Sequence, residues 1–277
     1  MLVLALLHPV AVINWWRWSI HPSTVLGIAA LGALYLWVAH RVEDKPTSLQ
    51  QGYFFSGLLV MFASLNGPIH DLSDGYLFSA HMVQHLVLTL LMPPLLIAGV
   101  SGGMLRPALR NRATASIARF ITRPVVCYVI FNVAIAAWHL PPLYNAAMAS
   151  HDVHIVQHLM FMPAAVLMWW PLLSPLPELP RLAYPGQMLY SWLMTIPMSI
   201  TAVYIAMADS VLYPAYASAP RIVSLSPLED QLLGALIMWI PGGLVFYIIM
   251  TVIFFKWNAR GEDSTAGAQV DWKPSAA

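Results

Sequence analysis

Charge is scarce in this chain. Only 9% of its 277 residues are Asp, Glu, Lys or Arg, against 59% hydrophobic, whereas a soluble domain carries about 25% charged residues. The deficit excludes an ordinary water-soluble globule and points to lipid as the solvent. Thiols are nearly absent too. The single cysteine, Cys127, excludes an intrachain disulfide and a thiolate metal cluster, and its apolar setting (VVCYVIF) reads as packing. A net charge of +1 offers no field for nucleic acid. Several soluble-enzyme signatures are missing: there is no G-x-x-x-x-G-K-[ST], H-E-x-x-H or C-x-x-C.

What is present is a series of long apolar runs. About 20 apolar residues cross a hydrocarbon core of ~30 Å. Such runs fall near 23–40, 52–69, 77–100, 123–140, 154–173, 187–208 and 231–256, the second and fourth being short. The expected fold is all-α, a polytopic membrane bundle of about seven transmembrane helices over 23–256. Residues 1–22 form an outer interfacial segment anchored by Trp15, Trp16 and Trp18 beside Arg17, and 257–277 a disordered cytoplasmic tail.

Basic residues orient the bundle. Arg41, Lys45, Arg106, Arg110, Arg112, Arg119, Arg123, Arg181, Lys256, Arg260 and Lys273 fall on one side, Arg17 and Arg221 on the other. The positive-inside rule then puts the N-terminus outside and the C-terminus in the cytoplasm. The Arg-rich, amphipathic segment around 104–124 is expected to lie on the cytoplasmic surface near anionic lipid.

On this map nine of the ten histidines are outer, with only His40 on the cytoplasmic side. His8, His21 and His70 read as interfacial, and Asp71, Asp74, Asp152 and Asp209 share that side. His85 and His158 lie a turn or more inside apolar helices, where ionisable groups usually face a bundle interior or a site. Two segments are nearly identical, His81-Met82-Val83-Gln84-His85-Leu86 and His154-Ile155-Val156-Gln157-His158-Leu159. Each pair is spaced i, i+4, so both imidazoles share a helical face, about 5–6 Å apart at Cβ, a common way to present two nitrogens to one metal. Pro68 precedes His81, and Pro141 precedes His154, by the same 13 residues. Two parallel hairpins related by an axis along the membrane normal are expected, bringing the pairs together.

A site of several imidazoles without thiolate suits copper, with methionine thioethers such as Met82 and Met160 available to Cu(I). Haem is the rival, although an i, i+4 pair on one helix gives it a superfluous ligand. The last span opens Glu229-Asp230-Gln231, where Asp230 is a ligand, a partner that fixes a ligating imidazole, or a helix-start acid.

Taken together, three segments resemble a known family: H-M-x-Q-H-L running to Pro93-Pro94; W-H-L-P-P-L-Y (138–144) followed by H-x-x-Q-H-L and W-W-P-L-L; and D-Q-L-L-G-A-L-I-M-W-I-P-G-G (230–243). Over about residues 50–256 the chain is similar to the multi-spanning CtaG-type cytochrome c oxidase assembly factors. The resemblance implies a multi-pass protein of the bacterial plasma membrane that serves the building of haem–copper oxidases through copper supply. Its partners would be oxidase subunits or copper chaperones, together with membrane lipid. The matching polar positions are His81, His85, His139, His154, His158 and Asp230. The expected metal ligands are the five histidines, with Gln84, Gln157, Asp230, Gln231 and Tyr144 around them. Two other classes stay open: a copper or haem redox enzyme acting on quinol or oxygen, and a transporter. The near absence of ionisable residues in the cytoplasmic half of the spans argues against a transporter.

Overall fold

The computed structural model describes residues 18–270, and of residues 261–270 the backbone alone. His8 and the expected anchor Trp15-Trp16-Arg17 lie outside the described residues. The described chain is helical throughout, with no strand: α1 (Pro22–Arg41), α2 (Ser48–Leu65), α3 (Pro68–Gly75), α4 (Phe78–Leu86), a π-helical turn (Val87–Leu91), α5 (Met92–Ala98), α6 (Gly102–Leu105), a 3₁₀ turn (Arg106–Arg110), α7 (Arg112–Ile121), α8 (Pro124–His139), α9 (Pro141–Ala149), α10 (His151–Leu173), α11 (Tyr184–Ala206), α12 (Pro214–Ala217) and α13 (Pro227–Val270).

Five stretches are long and apolar enough to cross a membrane: Pro22–Arg41, Phe78–Ala98, His151–Leu173, Tyr184–Ala206 and Pro227–Arg260. The two runs that looked short in the sequence reach that length only with a bent neighbour. α2 continues into α3 across 46°, and α7 into α8 across 68°. Counting each bent pair as one span gives seven, and all seven helices stand where the hydropathy placed them. α13 outruns its expected end, so helix occupies residues 257–270; residues 271–277 lie outside the described residues.

Prolines mark many helix starts, where a missing N–H does no harm; α1, α3, α8, α9 and α11 all begin this way. Inside spans the same residue leaves a carbonyl unpaired, and the bundle answers it. Pro93 has no N–H for the Thr89 carbonyl, which accepts from Trp169 Nε1 at 2.9 Å. Pro197 likewise leaves the Leu193 carbonyl, which faces the Tyr128 hydroxyl at 3.4 Å. Such re-satisfaction by a neighbouring helix is what lets proline sit at membrane depth.

Three hairpins share one plan: a helix, a short proline-led helix, and a returning helix. They are α2–α3–α4, α8–α9–α10 and α11–α12–α13. Phe78, Met82, Phe131, Trp138, Tyr144, Phe161, Trp169 and Met194 are buried in the core they enclose. The basic residues of 106–123 lie at the far ends of the spans from His81 and His154. Also at that far end, Gly99-Val100-Ser101-Gly102-Gly103 fits G-x-S-x-G. It is not a nucleophile elbow, because the Ser101 hydroxyl donates to the Asp44 carbonyl at 2.7 Å and fastens a loop.

Candidate metal centre

The helix that carries His81 and His85 is held from across the bundle. Leu77, at the N-cap of α4, has no side chain able to take the first free N–H groups. Asp230, fully buried on α13, takes them instead: Oδ2 accepts from Phe78 N at 2.8 Å, and Oδ1 from Ser79 N at 3.3 Å and from the Ser79 hydroxyl. A carboxylate at a helix N-terminus also meets the positive end of the dipole. One turn further along α13, Gly234 lets α4 approach closely, since a Cβ there would run into the Phe78 ring.

So held, α4 faces α10, and the four predicted histidines meet. His81 and His154 stand opposite one another, ring centres 5.9 Å apart. One turn deeper, His85 and His158 do the same at 5.9 Å. Along each helix the rings are closer, 4.2 Å for His81 and His85, and a 2.9 Å Nε2–Nε2 hydrogen bond for His154 and His158. His139, at the end of α8, joins the deeper level 5.7 Å from His85. Its Nδ1 is 2.7 Å from the Ile135 carbonyl and donates to it, which leaves Nε2 as the free acceptor. All five rings are buried.

The shallower level has a carboxylate. Asp74, on α3, lies 3.3 Å from His154 Nδ1, 3.7 Å from His81 Nδ1 and 3.4 Å from His70 Nε2. Asp74, His81 and His154 each offer one donor atom within 4.8 Å of the other two, a spacing able to hold a metal ion. Beyond them the mouth continues through His70, then His21 at 4.6 Å from it, then the exposed His151 at 5.9 Å from His21. Burial, reinforced by His70 and His151, holds the His21 imidazole below its ordinary value.

Three tyrosines wall the cluster. Tyr144 lies 5.4 Å from His81, and its hydroxyl meets that of Tyr216 at 2.9 Å. Tyr216 donates to the Ser73 carbonyl at 2.8 Å, beside Asp74, and Tyr213 donates to the His139 carbonyl at 2.8 Å. Burial pushes the Tyr144 and Tyr216 phenols well above their ordinary value, so they stay protonated.

The polar neighbours read from sequence divide. Tyr144 touches the cluster, and Gln84 bonds Ser73 at 3.1 Å and lies 3.3 Å from His70 Nδ1. Asp230 serves as the cap of α4. Gln231 is elsewhere, holding the loop before α12 through Leu212 N at 2.7 Å. Gln157 is buried, with neither amide atom hydrogen-bonded within the protein. Met160 is half exposed, and the Met194 sulfur accepts from Asn132 at 3.6 Å. Sequence reading passed over Asp74 and gave His21 and His70 an interfacial role; the i, i+4 spacing of His70 and Asp74 was the available signal.

Fold and site together define a multi-pass helical membrane protein with a buried cluster of imidazoles at one end of its spans. The chain belongs to the family described as cytochrome c oxidase caa3 assembly factor, which matches residues 33–260. It is also similar to uncharacterized proteins of Mycobacterium bovis and Mycobacterium tuberculosis, each 24% identical over 197 residues, and to one of Mycobacterium leprae, 22% identical over 199. These matches cover 65% of this chain and 30% of each relative, so the chain spans about a third of their length. No solved structure matches it significantly.

Proposed function

We propose that this chain is a copper-binding assembly factor of the bacterial plasma membrane. It takes copper as cargo at its outer face and supplies it to a haem–copper oxidase, with oxidase subunits or copper chaperones as partners. Family membership supports the process. One observation supports the chemistry: His81 and His85 have no hydrogen-bond partner within the protein at either ring nitrogen, nor has His139 at Nε2 or His158 at Nδ1. A buried polar atom left without a partner costs about 1–3 kcal/mol, and six such atoms within one cluster of rings fit a group that supplies the missing bonds. Imidazole with one carboxylate suits copper, and Asp74 supplies charge to balance it.

Haem fits less well. It needs a flat gap between two facing imidazoles, whereas here the space between α4 and α10 is filled by four rings 4–6 Å apart. The five histidines would hold the ion. Tyr144 and Gln84 would fix the cluster's rim, and Asp230 would set the position of α4. The positive-inside distribution supports an outer location for this end and a cytoplasmic C-terminus.

The test is copper content of the purified protein alongside oxidase maturation in cells, for the native chain and for the double variant His85→Ala, His158→Ala. Loss of both is expected. Survival of both would overturn the reading.

A further inference from the structure

Resting on the copper reading, we propose that Asp74 is itself a ligand of the ion, seated with His81 and His154, and that His70 is the residue that positions it.

The spacing of these three side chains is that of a coordination shell. Imidazole and carboxylate donors sit about 2.1 Å from an ion of this kind, and hence about 3.4 Å from one another at a tetrahedral angle. Asp74 Oδ2 lies 3.3 Å from His154 Nδ1, and Oδ1 lies 3.7 Å from His81 Nδ1. It is the one such trio of potential ligands among the described residues. The carboxylate comes from α3, the imidazoles from α4 and α10. When His154 donates in its 2.9 Å bond to His158, its Nδ1 keeps a lone pair for the ion.

His70 resembles a fourth ligand, since its Nε2 lies 3.4 Å from the same Asp74 oxygen. Its other nitrogen decides otherwise. The Gln84 amide nitrogen is identified by its bond to the Ser64 carbonyl, which can only accept. The same NH2 group meets His70 Nδ1 at 3.3 Å, so Nδ1 accepts and the ring proton sits on Nε2. That N–H stands against the Asp74 carboxylate and restrains it, as hydrogen-bond partners behind a metal ligand commonly do. Ser64, Gln84, His70 and Asp74 thus form one line from the backbone to the ion.

Purified protein in detergent is titrated with Cu(II). Bound metal is counted after dialysis, and its nitrogen ligands are counted by electron paramagnetic resonance. Asp74→Asn, isosteric but uncharged, should weaken Cu(II) by about a hundredfold or more. His70→Gln places an amide N–H where Nε2 stood and should keep the native affinity. His70→Asn, whose amide stops short of Asp74, should lose about ten- to a hundredfold. In the Asp74→Asn background that loss should vanish, which a misfolded protein would not show. The count of nitrogens on copper should be the same in the native chain and in both His70 variants. A nitrogen lost with His70 would make it a ligand and overturn the assignment. If Asp74→Asn binds as the native chain does, or the two His70 variants bind alike, the proposal falls while copper binding stands. If the native chain binds no Cu(II), the copper reading falls with it.

Discussion

Asp230 and Phe78 stand 152 positions apart in sequence, and the carboxylate of the first accepts the backbone N–H of the second at 2.8 Å. That bond fixes where α4 begins, and so the height at which His81 and His85 stand. Asp230→Ala leaves the Phe78 and Ser79 N–H groups and the Ser79 hydroxyl unbonded. A loss of about 2 kcal/mol is expected, measured as a lower unfolding midpoint in detergent. Bound copper should fall too, although no ligand has changed.

Gly234 faces Phe78 where α13 crosses α4. Gly234→Val forces the two helices apart, and overpacking of this kind costs about 1–3 kcal/mol. By contrast, Gly243, with open space around its Cα, should accept alanine with little change in the same thermal assay.

Trp169→Phe keeps one aromatic ring of smaller volume and removes the indole N–H that serves the Thr89 carbonyl. The cost should be about 1–3 kcal/mol, with a local loosening of the π-helical turn seen as faster amide exchange over residues 87–92. Trp170→Phe loses only a longer bond, 3.2 Å to Leu179, and should cost less.

Acid should loosen the mouth. Free histidine takes up its proton near 6.5, and His21, held lower by burial and by His70 and His151, does so in the folded protein only at lower pH. The unfolded chain then binds more protons, so stability falls as pH drops through that window. The unfolding midpoint should decline with acidification, and the decline should be shallower in His21→Gln.

Topology can be read by labelling, because Cys127 is fully buried and is the chain's only cysteine. Asp209→Cys should react with a membrane-impermeant maleimide in intact cells, and Ala113→Cys only after lysis. The opposite pattern would reverse the orientation inferred from the basic residues.

Much of this was legible in the sequence for physical reasons. Spans announce themselves because hydrocarbon accepts little else, and the repeated His81–Leu86 and His154–Leu159 segments placed two helices at one depth. How closely the rings of the two helices approach was not legible, since it depends on which face of α4 meets α10. Asp230 read equally as ligand or helix-start acid. It is a start acid for another helix, and no local pattern in α13 can name its distant partner. Asp74 was hidden by its place in a connector, where acids are ordinary.

The candidate ligands come from separate hairpins, α4 from one and α8 with α10 from the other, and neither hairpin owns a complete set. An ion bridging them would act as a rivet across a seam. A client that wedged the seam open by the width of a bond could take the cargo without tearing any ligand from its helix. Grip and release would then be two settings of one clasp.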